Sequence, residues 1–241
     1  MDTSMKTIGL IGGMSWESTM TYYEILNKEI AGTLGGFHSA RILMYSVDFA
    51  ELEENMTKGN WAANTIILSD AARRLEAAGA DFIVIATNTM HKLVPDIEKE
   101  INIPILHIAD TVAEAVKRDR ISRVGLLGTK YTMTQDFIKD RLKKAGLTVI
   151  IPDQNDIEIA DHIIFNELCM GKVLDSSREE YKRIIADFKD RGAQGVILGC
   201  TEIGMLISEA DSVLPTYDTT IIHAEEAARL AMDLSDSGKS D

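Results

Sequence analysis

Two short segments of this chain could together move a proton on and off a carbon atom. Thr87-Asn88-Thr89 and Cys200-Thr201-Glu202 each directly follow a short apolar run, and the triplets stand 113 positions apart. A thiol and a hydroxyl approaching one carbon from opposite sides could invert it. One group removes a proton, and the other delivers a proton to the far face. Cys200 is the better base. Its ordinary pKa of about 8.5 leaves only a minority of thiolate at neutral pH, so the site is expected to lower that value or to strengthen the anion by desolvation. Thr87 is an alcohol, expected to donate a proton or only to orient the substrate. The two enantiomers should therefore behave unequally.

These residues need elements that bring them together. Short runs rich in Ile, Val and Leu read as strands: 8–11, 41–47, 82–86, 103–108, 124–127, 148–151, 196–198 and 213–217. Most do not alternate, as expected of parallel strands buried on both faces. Helical patterns span about 64–78, closed by Gly79, and about 134–145, closed by Gly146. A third opens on a capping box at Ser177-Arg178-Glu179-Glu180 and ends near Gly192, and the last covers about 221–234. Alternating strands and helices define an α/β fold.

The chain also repeats itself. Ile8-Gly9-Leu10-Ile11-Gly12 matches Val124-Gly125-Leu126-Leu127-Gly128 at an offset of 116. The stretch 79–89 matches 192–202 at 113, and Pro104 matches Pro215 at 111. Three cues in one order at nearly one spacing predict two pseudo-symmetric lobes, each a parallel sheet flanked by helices, with the active site in the cleft between them. The expected boundaries are 1–110, completed by the C-terminal helix 219–235, then 111–218, and a disordered tail 236–241. Ligands of such sheets bind at the carboxyl ends of the strands, where both triplets fall. The turns Gly12-Gly13-Met14-Ser15 and Gly128 to Thr132 add backbone N–H groups and hydroxyls suited to a carboxylate.

Composition excludes other classes. Net charge is −13, with 25 basic and 38 acidic residues, which argues against a nucleic-acid partner. No run approaches a membrane span of roughly 18 apolar residues, and no secretory signal is visible, so a cytoplasmic location is expected. Cys169 and Cys200 make neither a disulfide framework nor metal-ligand spacing, and the five histidines are scattered, so no metal site is expected. Residues 9–13 do not fit G-x-G-x-x-G, and no Walker loop is present.

The segments GLIGGMSWEST, ATNTMH, LLGTKYTMTQ and GCTEIG resemble the aspartate/glutamate racemase family, with the likeness running from about Lys6 to Leu234. That resemblance implies cofactor-independent interconversion of L- and D-aspartate or glutamate, no pyridoxal phosphate, a homodimer, and a small dicarboxylic amino acid as substrate. It makes Cys200 the second catalytic cysteine and puts Thr87 where the first usually stands. Met14, Asp48, Asn88, Thr89, Thr129, Thr132, Thr201 and Glu202 become substrate-binding positions. His91, one helical turn past Thr87, either supports the site from behind or satisfies a helix start. The arginine often found near Leu52 and the lysine near Cys169 are absent, which leaves aspartate, glutamate or a broader set open. An arylmalonate-decarboxylase or maleate-isomerase type of reaction, or amino-acid binding without catalysis, are the competing readings. His223 and Glu225 on the last helix read as surface or interface.

Overall fold

The computed structural model describes residues 5–233, so the expected disordered tail lies outside the described residues. Among the described residues, eight strands form two sheets, each four-stranded and wholly parallel. In the first, β1 (Ile8–Gly12), β2 (Ile42–Ser46), β3 (Phe82–Ile85) and β4 (Ile105–Leu106) lie in the order β2-β1-β3-β4. The second repeats that order with β5 (Arg123–Gly128), β6 (Thr148–Ile150), β7 (Gly195–Gly199) and β8 (Thr216–Asp218) as β6-β5-β7-β8. The internal repeat in sequence is thus a repeat of topology.

Helices α1 (Trp16–Leu34), α2 (Phe49–Thr57), α3 (Trp61–Ala77) and α4 (Val94–Ile97) accompany the first sheet. Helices α5 (Ile108–Arg118), α6 (Lys130–Thr134), α7 (Asp136–Lys144), α8 (Gln154–Asn166), α9 (Asp175–Asp190) and α10 (Ile203–Leu206) accompany the second, and α11 (Thr219–Ala231) is the last helix of the described residues. None of the described helices is long and apolar enough to cross a membrane.

The chain divides into two compact units. Among the described residues, one comprises 5–86, 93–107 and 223–233; the other comprises 87–92 and 108–222. The segment carrying Thr87 groups with the second sheet, and the division falls within α11 at His223. In the first unit, Ala224, Ala227, Ala228 and Ala231 form a small-residue row at helical spacing. They pack on Ile8, Leu10, Tyr22, Leu26, Ile30 and Phe82. The second unit has two apolar layers. Phe188, Tyr181, Ile184 and Val196 belong to one, and Ile108, Val112, Leu126, Leu142 and Ile197 to the other.

Local departures have local causes. The helix expected at about 134–145 is α7, which begins at Asp136 because Gln135 is extended, and a short helix, α6, precedes it. Helix α9 starts at Asp175, ahead of the expected capping box, and Leu174 holds the cap position. Ser177 is buried inside the helix, where its hydroxyl donates to the Glu167 carboxylate instead of capping. The strand expected at 213–217 forms only from Thr216, because Ser212 and Leu214 are tied in a local turn.

His223, read from sequence as surface or interface, is fully buried and so is not a surface residue. Its Nε2 lies 2.8 Å from the Leu106 carbonyl and its Nδ1 2.8 Å from the Tyr22 hydroxyl. A carbonyl only accepts, so Nε2 carries the proton and Nδ1 accepts from Tyr22. Both ring nitrogens are used by the neutral tautomer, and burial pushes the His223 pKa down to about 4.

Two stability predictions follow from this packing. The unfolded chain protonates His223 below about pH 6.5, whereas the folded chain resists until about 4. Stability is therefore full above the unfolded value and is lost as pH falls towards the folded one. Between pH 7 and pH 5 this one group should cost about 2 kcal/mol. Urea unfolding at the two pH values should show the loss in the native chain and a smaller one in His223→Asn. At Gly125, a β-carbon would stand 2.3 Å from the ring of the fully buried Phe188. Gly125→Ala should therefore destabilise by about 1–3 kcal/mol, read as a lower urea midpoint.

Candidate active site

Strand β7 is buried at all five positions, and the chain first turns aside at its carboxyl end, where Cys200 follows Gly199. Cys200 is 7% exposed. Its Sγ donates to Glu202 Oε2 at 3.0 Å, and the Thr201 hydroxyl donates to the same oxygen at 2.7 Å. Glu202 is itself buried. Burial, and then the charge and hydrogen bond of Glu202, push the Cys200 thiol well above its ordinary pKa. Of the two expected routes to a stronger base, the value is not lowered, and burial takes the other route, desolvation. The resting group is a thiol, desolvated and held by a carboxylate, because the neighbouring charge has the same sign as a thiolate.

The segment 87–92 is bound to the carboxyl end of the second sheet. Asn88 Nδ2 donates to Thr219 Oγ1 at 2.9 Å, and Thr219 donates to the Leu198 carbonyl of β7 at 2.9 Å. Thr89 Oγ1 lies 3.3 Å from Thr129 Oγ1, which lies 3.3 Å from Thr132 Oγ1. Thr129 also caps α6, accepting from the Thr132 N–H. Asn88, Thr89, Thr129 and Thr132 are all buried. Thr87 is half-buried, and its hydroxyl makes no hydrogen bond to the described residues. Of the ten sequence-derived catalytic and substrate positions, Thr87, Asn88, Thr89, Thr129, Thr132, Cys200, Thr201 and Glu202 thus belong to one unit.

The other two, Met14 and Asp48, belong to the first unit. Met14 is buried in the turn after β1, joined to Ser15 by a cis peptide. In that turn Gly13 has φ +91°, and a β-carbon there would meet the Val47 carbonyl at 2.3 Å. The Gly13 N–H donates to Thr19 Oγ1 at 2.8 Å, so this donor serves the fold. Asp48 is exposed and accepts from the Ala50 N–H at 3.1 Å as the cap of α2. His91 is buried beside Thr87, with Nδ1 2.8 Å from the Thr87 carbonyl.

Three residues near the site were not singled out in the sequence. Thr219 links Asn88 to β7. Tyr181 is fully buried, donates to the Ala160 carbonyl at 3.2 Å, and has its pKa raised by burial and then by Cys200. Asp218 ends β8, and burial raises its carboxyl while its Oδ1 accepts from the Thr220 N–H at 2.8 Å. The repeat offset of 111 that pairs Pro104 with Pro215 also pairs His107 with Asp218 and Ile108 with Thr219. Following that register one strand further would have found both. Among the described residues, no group of three or more His, Cys, Asp or Glu side chains could hold a metal ion.

Comparison with known proteins agrees with this architecture. The Asp/Glu/Hydantoin racemase family model matches residues 11–227. A Yersinia pestis chain provisionally described as an Asp/Glu racemase is 49% identical, with a TM-score of 0.90, over 95% of this chain and all of that one. An aspartate racemase homologue from Pyrococcus horikoshii is 37% identical, with a TM-score of 0.82, over 94% of this chain and 99% of that one. The glutamate racemase of Aquifex pyrophilus is 27% identical over 71% of this chain, a match that spans 65% of that protein. With eight parallel strands in two repeats and a match spanning both sheets, the chain belongs to the Asp/Glu/Hydantoin racemase family.

Proposed function

We propose that this protein racemises a small acidic amino acid, aspartate or glutamate, by α-proton transfer, with Cys200 serving one face of the carbon and Thr87 the other. The carrying observation is the Cys200 thiol held at 3.0 Å by the buried Glu202 carboxylate, in the unit that also contains the uncommitted Thr87 hydroxyl. The acidic substrate is supported by relatives named glutamate racemase and aspartate racemase homologue.

The resting thiol must lose its proton before it can act as a base. Glu202 Oε2 is the acceptor at hand: the S–H bond breaks, an O–H bond forms, and the electron pair stays on sulfur. The thiolate then takes the α-proton, leaving the C–H pair on the substrate carbon. Return of a proton from Sγ to the same face regenerates the starting enantiomer. Delivery from the Thr87 hydroxyl to the opposite face inverts it; water restores the oxygen's proton, and the hydroxide so formed takes the proton held on Glu202, leaving the former α-proton on Sγ. The hydroxyls and amide of Thr89, Thr129, Thr132 and Asn88 are the proposed substrate contacts. Thr87 donates far better than it abstracts, so the reaction is lopsided between enantiomers.

Two outcomes test this reading. In heavy water, one pure enantiomer of aspartate or glutamate should exchange its α-proton faster than it inverts, while the other does both slowly. Proton NMR with chiral chromatography reads both rates, and equal exchange from the two enantiomers contradicts the assignment. Glu202→Gln should slow exchange by about 10–100-fold, the range of a lost proton-transfer partner.

A further inference from the structure

The Thr87 hydroxyl has no hydrogen bond to the described residues, so something other than its own side chain must aim it. His91 is 1% exposed and lies at the centre of the segment's bonding. Its ring accepts the Ile108 N–H at Nε2, 3.2 Å away, so that nitrogen carries no proton. The proton is then on Nδ1, which donates to the Thr87 carbonyl at 2.8 Å. The His91 N–H in turn donates to the Asn88 carbonyl at 3.1 Å. One neutral tautomer thus spans from the first turn of α5 to the peptide that follows Thr87, and both ring nitrogens are committed.

We propose that His91 is a positioning residue for Thr87: its Nδ1–H fixes the Thr87 carbonyl and thereby the direction of the hydroxyl. The inference rests on the reading of Thr87 as the proton donor for inversion. Cys200 has a separate support in Glu202, so the two faces of the site are held by different groups. A bond that serves only Thr87 should affect inversion and spare exchange at Cys200. A bond that serves only folding should affect both in proportion.

Two variants separate the ring's two bonds. Asparagine can place an amide N–H near the former Nδ1 and keep the donor to the Thr87 carbonyl. Glutamine reaches towards the former Nε2, can accept from Ile108 N–H, and loses the bond to Thr87. With the faster-exchanging enantiomer in heavy water, His91→Gln should lower inversion tenfold or more while α-proton exchange stays within about twofold. His91→Asn should restore most of the inversion. Proportional loss of both rates in both variants, or unchanged inversion in His91→Gln, overturns the assignment. Thr87→Val is measured alongside. If it loses inversion while His91→Gln does not, only the His91 role fails; if Thr87→Val inverts normally, the Thr87 reading fails and the His91 role falls with it.

Discussion

A parallel strand buried on both faces can present chemistry only where it ends. Strands β1 and β7 are buried along their whole length, and β5 from its second residue onward. Their side chains are spent on packing, and their backbone groups on neighbouring strands. Polar groups of the candidate site in the second unit therefore collect at the carboxyl ends of its strands: Thr129 after β5, Cys200 after β7, and Asp218 and Thr219 at the end of β8. The 87–92 segment is held there by the bonds of Asn88 and Thr89.

Burial at that edge also sets the electrostatics. A thiol surrounded by apolar side chains of the second unit's core, with a carboxylate as its nearest polar partner, is a poor acid. The same carboxylate is positioned to receive its proton. The site is therefore not a source of ready thiolate. It stores a proton at sulfur, with an adjacent base that can take it. That differs from the electropositive settings that lower a cysteine pKa.

Much of the architecture was legible because it is periodic. The glycine-bounded runs at Gly9 and Gly125, the strand-to-triplet junctions at 87 and 200, and the prolines at 104 and 215 recur in order, and the sheets repeat the same strand order. What was hidden depended on contacts between residues distant in sequence. The capping signal at Ser177 was locally sound, yet Glu167 captures its hydroxyl. His223 has the sequence neighbourhood of a surface helix, and only Tyr22 and Leu106, 201 and 117 positions away, explain its burial. The direction of the Cys200 shift was hidden because it turns first on burial in a core assembled from residues distant in sequence, and then on Glu202, two residues away, folding back onto the sulfur. Which unit holds Thr87 likewise depends on long-range bonds, Asn88 to Thr219 among them.

The alanine row of α11 has a consequence for how the chain comes into being. Ala224, Ala227, Ala228 and Ala231 cover Ile8, Leu10 and Phe82, which are made some two hundred residues earlier for the first two. During vectorial synthesis the first sheet emerges from the ribosome with that apolar face unclosed. The second unit, continuous from Ile108 to Ile222 apart from the short 87–92 segment, is complete before α11 is. Order of synthesis and order of completion are therefore reversed: the half of the protein translated first is the half finished last.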